Sequence, residues 1–186
     1  MEYQVIRSRR KTMSIQIVQG RVIVRAPLWS KDRSIRRFVD SHAEWIEKSV
    51  RTSLEKARKM QDEVNAAGVI SSDEIRRLAD EARKVIPERV RFYAPLIGVN
   101  YGRITIRNQR SKWGSCSAAG NLNFNCLLML SPPEVLDSVV IHELCHRLEM
   151  NHSERFYALL YKYCPDYDEC RRWLKNEGSL LMARAE

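Results

Sequence analysis

Three of the chain's four histidines fall within eleven residues: His142, His146 and His152, in the order H-E-x-x-H-x-x-x-x-x-H. No other stretch restricts the fold as much, because these residues have a joint use only if the backbone takes one particular path. On a helix, residues four apart share a face, so His142 and His146 can offer imidazole nitrogens to one ion. Glu143, next to the first of them, points elsewhere and can take a proton from a water on that ion. His152 lies six residues past His146, too far round to add to that face. It completes the set only if the helix ends and the chain turns back. Glu149, Glu154 and other acids in the following helix are rivals for its place. Read separately, each histidine is an ordinary surface or core residue. Their spacing with Glu143 inside an apolar helix favours a metal.

The flanks suit such a helix. Ser131-Pro132-Pro133-Glu134 reads as a start, with Ser131 as N-cap, Pro132 at the first helical position and Glu134 placed as in a capping box. Val135, Leu136, Val139, Val140, Leu144 and Leu148 form an apolar stripe at helical spacing. Asn151 tolerates a left-handed backbone and is expected to stop the helix. Ser153 then caps a second helix carrying Phe156, Leu159, Leu160 and Tyr163.

A length of 186 residues suits one domain with a sizeable core, or one domain plus an appendage. The N-terminus carries no hydrophobic secretion signal, and no apolar run approaches membrane length, so a soluble cytoplasmic protein is expected. The five cysteines (116, 126, 145, 164, 170) contain no C-x-x-C pair and read as reduced, packed thiols. Cys145 points off the histidine face. Cys164 and Cys170 could pair or bind metal, though packing suits them better. The net charge is +9, and residues 1–63 hold 15 Lys and Arg against 8 Asp and Glu. That excess fits either a solvated basic face or a nucleic-acid or nucleotide surface.

Tyr3 to Arg9, Thr12 to Val18 and Val22 to Val24 read as three strands of an antiparallel β-meander, with Gln19-Gly20 as a turn. Arg7, Arg9, Arg10 and Lys11 make its first turn strongly cationic. Ser30 is expected to cap one long helix with Ile35, Phe38, Val39, His42, Trp45 and Ile46 spaced for one buried face. His42, near Trp45 on that helix, reads as structural. Asn65 to Gly68 marks the best internal boundary, giving a meander-plus-helix segment over 1–64 and the metal-bearing domain over 65–186. Ser71-Ser72-Asp73-Glu74 opens another helix, which Pro87 should kink or break before Gly98 ends it. At the C-terminus, a helix follows Cys164-Pro165, and Asn176-Glu177-Gly178 is expected to close it ahead of a loose tail.

Before the metal helix, Arg103–Arg107 reads as a strand, Ala118–Asn121 as a turn and Leu122–Cys126 as a second strand. Between them runs N-Q-R-S-K-W-G-S-C-S, residues 108–117. In zinc hydrolases a substrate chain commonly adds to an edge strand beside the active-site helix. Arg110, Lys112, Trp113, Ser115 and Tyr157 are therefore candidate substrate contacts, Trp113 doubling as core. Lys112, Arg110, Ser115 and Tyr157 are candidates for stabilising an oxyanion, and spacing does not choose among them.

N-Q-R-S-K-W-G-S-C-S, L-S-P-P-E-V-L-D-S-V-V-I-H-E-L-C-H, M-N-H-S-E-R-F-Y and Y-C-P-D-Y together resemble the YgjP-like predicted metal-dependent hydrolases, relatives of the SprT-like and other zincin metallopeptidases. I-R-S-R-R-K-T-M-S-I and V-I-V-R-A-P extend the likeness over nearly the whole chain. The resemblance implies an α+β, zincin-like fold, with a small mixed sheet on the H-E-x-x-H helix. It also implies one Zn²⁺ held by His142, His146 and His152, with Glu143 as base. The spacing also fits the metzincins, but Glu149 stands where their glycine makes the turn.

The expected activity is zinc-dependent peptide-bond hydrolysis, on a peptide or on a protein associated with nucleic acid. Two other readings remain open. The same water could attack a nucleotide phosphoanhydride, although the chain lacks a glycine-rich phosphate loop and an acidic cluster for magnesium. Alternatively the zinc could be structural in a nucleic-acid-binding protein, although structural sites normally have four protein ligands and only three good ones are found.

Overall fold

The computed structural model describes residues 2–185, which divide between Glu63 and Val64 into two compact units. The first contains strands β1 (Gln4–Ser8), β2 (Ser14–Val18) and β3 (Arg21–Pro27), helix α1 (Asp32–Asp40) and most of α2 (Ala43–Ala67). Its sheet is not the antiparallel meander expected from the sequence. The strand order is β1-β3-β2, with β1 parallel and β2 antiparallel to β3. The reason lies in burial. Val22, Val24 and Ala26 of β3 are at most 7% exposed, whereas β1 is mainly open to solvent and β2 is at most half-buried. The most apolar strand takes the centre, where both neighbours cover its edges. Gln19 and Gly20, both at positive φ, make the β2–β3 turn as expected.

Ile35, Val39 and Ile46 pack on this sheet, but His42 and Trp45, expected on the same buried face, are exposed, because the expected single helix is two and the break resets its face. Lys31, not Ser30, occupies the N-cap of α1. The break falls at Ser41-His42, where the His42 ring meets the Phe38 carbonyl at 2.8 Å and the Ser41 hydroxyl at 3.0 Å. His42 thus has the structural role expected of it.

The second unit is built on α3 (Ser72–Ile97). Ser71 caps it by accepting from the Glu74 N–H, and Gly98 ends it in a left-handed conformation. Leu78, Ala82, Ile86, Val90, Ala94 and Ile97 form its buried row. Of the two outcomes expected at Pro87, the break does not occur: the helix runs on through it. The carbonyl left without a donor belongs to Arg83, on the exposed side, where water can satisfy it. After α3 come strands β4 (Ile104–Arg107), β5 (Gly114–Cys116) and β6 (Leu122–Asn125), then a 3₁₀ helix, Cys126–Leu130, and α4 (Pro133–Cys145); β4, the 3₁₀ helix and α4 pack on α3. The expected two strands are three. The extra one, β5, lies inside the polar 108–117 stretch and pairs antiparallel with β6, while β4 pairs with β6 in parallel. Gly-Ser-Cys is too short and too weakly apolar to carry a period-two signal.

Helix α4 is buried on nearly every side and packs on α3 and β5. A fork of bonds ties it to α3: Arg89 donates to both carboxylate oxygens of Asp137, at 2.6 and 2.5 Å, and the Tyr93 hydroxyl donates to the same group at 3.0 Å. Its start differs from expectation by one residue. The Ser131 hydroxyl donates to the Leu128 carbonyl at 2.7 Å and closes the 3₁₀ helix, so Pro132 becomes the N-cap and no capping box forms. Helices α5 (Glu154–Tyr163), α6 (Tyr167–Lys175) and α7 (Glu177–Arg184) complete the unit. Residues 177–184 are helical rather than loose. The Ile70 N–H donates to the Arg184 carbonyl at 2.8 Å, and Arg184 donates to the Gly68 carbonyl at 2.7 Å. No described helix is long and apolar enough to cross a membrane.

Candidate metal centre

Helix α4 carries His142 and Glu143 in its last turn and ends with His146 at the C-cap. The chain then turns at once, without a left-handed Asn151; Gln19 is the one described non-glycine residue at positive φ. The turn is held partly by the site itself. His146 Nδ1 lies 3.0 Å from the Glu149 carbonyl oxygen, which can only accept, so Nδ1 carries the proton and Nε2 a free lone pair. Glu149 thus acts through its backbone, at the position where a metzincin would carry glycine. Ser153 caps α5 by accepting from the Phe156 N–H at 3.3 Å, as expected, and presents His152 just before it.

The outcome is a cluster. One ligand atom from each of His142, His146 and His152 lies within 4.8 Å of the others, and this is the only such group of His, Cys, Asp and Glu among the described residues. Glu149 and Glu154 are not in it. His142 Nε2 and His152 Nε2 face each other at 3.1 Å. Two nitrogens on a tetrahedral ion with bonds of about 2.0–2.1 Å would sit roughly 3.3–3.4 Å apart, so the spacing suits a shared cation. Phe156, fully buried, packs against all three imidazoles, with ring centroids 4.9, 4.6 and 4.8 Å away.

The protonation states agree. Burial, then the neighbouring His146 and His152, then Arg171 push the His142 imidazolium down to about 3. Burial lowers His146 as well. Both rings are therefore neutral near pH 7, the form that binds metal. The Tyr167 hydroxyl lies 3.0 Å from His142 Nδ1, on the side of the ring away from His152. Sequence reasoning missed Tyr167. Its place in the Y-C-P-D-Y run was the available signal, but its bond to a residue 25 positions away was not.

Glu143 is 5% exposed, and its Oε2 has no hydrogen-bond partner. Burial pushes its carboxyl up to about 8, against a pull downward from Lys112. It lies against Gly114 of β5, where an added Cβ would come within 2.6 Å of Oε1. Only a residue without a side chain lets the carboxylate lie so close to the strand. Beside it opens a cavity of about 230 Å³, lined by His142, Glu143, Lys112, Trp113, Val139, Tyr167 and Leu174 among others. Of the candidate substrate contacts, Lys112 and Trp113 line this cavity. Arg110, Ser115 and Tyr157 do not. Arg110 is exposed, the Ser115 hydroxyl accepts from the Asn123 amide at 3.3 Å, and Tyr157 lies beside Phe156 and His152. Trp113 is pinned from behind by Gly178 of α7, where an added Cβ would approach its ring to 2.7 Å. All five cysteines are free; burial pushes the Cys145 and Cys164 thiols up to about 12, as suits packed, inert groups.

A buried helix presenting H-E-x-x-H beside an edge strand and a cavity is the arrangement that metal-dependent hydrolysis requires. The chain belongs to the YgjP-like metallopeptidase family: residues 11–73 and 71–177 match its domain. It is thus a metal-dependent peptidase by family. Two solved structures are similar to it. One is the metallopeptidase zymogen abylysin of Pyrococcus abyssi, at 19% identity, with 50% of this chain and 96% of that one covered and a TM-score of 0.45. The other is the metallopeptidase zymogen jannalysin of Methanocaldococcus jannaschii, at 24% identity, with coverages of 50% and 97% and a TM-score of 0.45. No curated protein matches the chain.

Proposed function

We propose that the protein is a zinc peptidase in which His142, His146 and His152 hold one Zn²⁺ and Glu143 is the general base. The observation that carries this reading is the meeting of three imidazole nitrogens beside a buried carboxylate with an unpartnered oxygen. When bound, zinc lowers the pKa of a coordinated water to about 7 and polarises the scissile carbonyl. Glu143 takes the proton from the attacking water and returns it to the leaving amine. Its position against Gly114 keeps the carboxylate dry and fixed in direction. Strand β5 has β6 on one side only, so an extended substrate can pair with its open edge and bring a peptide bond past Glu143. Lys112, at the cavity wall, supplies the nearby cation for the oxyanion.

Incubation of the zinc-loaded protein with a peptide library and, separately, with a nucleotide panel tests the reaction class. We expect peptide cleavage and no release of phosphate or pyrophosphate. Phosphate release without cleavage would assign the site to phosphoanhydrides.

Tyr167 is read as the residue that orients His142. With Nδ1 donating to the tyrosine oxygen, the ring is held in the tautomer whose Nε2 points at the other two histidines. Tyr167→Phe keeps the ring packing and removes that bond. The expected result is a loss of zinc affinity of about 10–100-fold, read by competition with a chelating dye. An unchanged affinity would reduce Tyr167 to cavity lining.

A further inference from the structure

The first unit carries a surface that the metal site does not use. The Leu28 N–H donates to the Ser8 carbonyl at 3.1 Å. Arg7 donates to the Ser30 carbonyl and to Asp32. These bonds bring the segment after β1 alongside the segment that leaves β3 and enters α1. The first brings Arg9, Arg10 and Lys11; the second brings Lys31 and Arg33, followed by Arg36 and Arg37 on the outer side of α1. Between residues 7 and 37 the only acid is Asp32, and Arg7 neutralises it. The second segment also carries Trp29, 75% exposed, beside Leu28 at 58%. A tryptophan left this open is normally covered in use.

We infer that this face binds single-stranded nucleic acid, with Trp29 stacking on a base and the surrounding arginines and lysines following the phosphates. The pairing of an aromatic platform with a cationic track is what unpaired strands require, because their base faces are free. A duplex offers only phosphates here, since its bases are already stacked. An anionic membrane would also draw the charge, but insertion needs a broad apolar face. The apolar side of α1, Ile35 and Val39, is already buried on the sheet, and within the segments that form this face, residues 7–11 and 28–37, Leu28 and Trp29 are the exposed large hydrophobics. An acidic protein would satisfy the cations and leave the indole unused.

The test uses the full chain, a labelled oligothymidylate, a duplex of equal length, polyglutamate, and vesicles containing phosphatidylserine. The oligothymidylate should bind, with affinity falling linearly on a log–log plot against salt. Trp29→Ala should weaken binding about five-fold or more and leave the salt slope unchanged. Arg33→Gln with Arg36→Gln should lower the slope by about 0.7 for each phosphate no longer neutralised. The oligonucleotide should quench tryptophan fluorescence in the wild type, and quench it less in Trp29→Ala, which keeps the other three tryptophans. Absence of binding, equal affinity for duplex or polyglutamate, an inert Trp29→Ala, or tighter binding to the vesicles would each overturn the assignment. These side chains are exposed, so circular dichroism should show the variants folded.

Discussion

Glu143→Gln should retain the metal and lose peptide cleavage by a factor of about 10²–10⁴ or more in kcat/KM, the usual range for removing a general base. The amide matches the carboxylate in shape, so the contact with Gly114 and the packing of α4 survive. It cannot accept a proton from water. A metal content equal to wild type, measured on the same preparation, separates this loss from a loss of the ion. Full activity in the variant would remove Glu143 from the reaction. A second measurement tests the electrostatics. In the metal-free protein the folded carboxyl is pushed up to about 8 by burial. Well below the ordinary carboxylate range both the folded and the unfolded chain hold the proton, and pH has no effect through this group. As pH rises, the unfolded chain ionises first, so stability falls until the folded group titrates near 8 and then levels. Glu143→Gln has no such proton to lose. Its melting temperature, without metal, should therefore gain on wild type between the ordinary carboxylate range and pH 8. Parallel curves over that range would show that the carboxyl is not held in the neutral form.

The residues of this site were legible in the sequence because the demand on them is local. His142 and His146 share one helical face whatever the rest of the chain does, and Ser153 announces the helix that follows His152. What sequence could not supply was set by tertiary competition. Ser131 reads as an N-cap, but its hydroxyl closes the preceding 3₁₀ helix instead. Asn151 reads as the residue that turns the chain, but His146 makes the turn by bonding the Glu149 carbonyl. Strand β5 exists because β6 has an edge to share and Gly114 admits Glu143, not because Gly-Ser-Cys favours extension. Likewise β3 takes the centre of the first sheet through its burial, and strand order is invisible to alternation alone. Tyr167 and Leu174 both lie on α6, and nothing in the Y-C-P-D-Y run says that this helix folds back onto His142.

Phe156 is the residue whose loss should do most damage to the fold around the site. Its ring is fully buried and meets each imidazole face or edge at under 5 Å between centroids. His152 is exposed and precedes α5, and Phe156 is the fully buried ring on which it packs. Phe156→Ala removes that support and leaves a cavity next to Leu160 and α4. Such truncations cost about 3–5 kcal/mol, a large share of the roughly 5–15 kcal/mol that holds a domain together. The melting temperature of the metal-free protein should fall by roughly 10–20 °C. Phe156→Leu fills most of the space and should recover most of that stability, but its branched end cannot stack on His146 and meet His142 and His152 edge-on as the phenyl ring does. The two variants therefore separate packing from metal binding. Bound ligand raises stability by RT ln(1 + [L]/Kd), so a weaker site shows up as a smaller rise in melting temperature with added zinc. Phe156→Leu should be stable yet gain less from zinc than wild type. An equal gain would mean that the imidazoles hold their places without the ring, and that the turn at Glu149 and the bond to Tyr167 suffice to converge them.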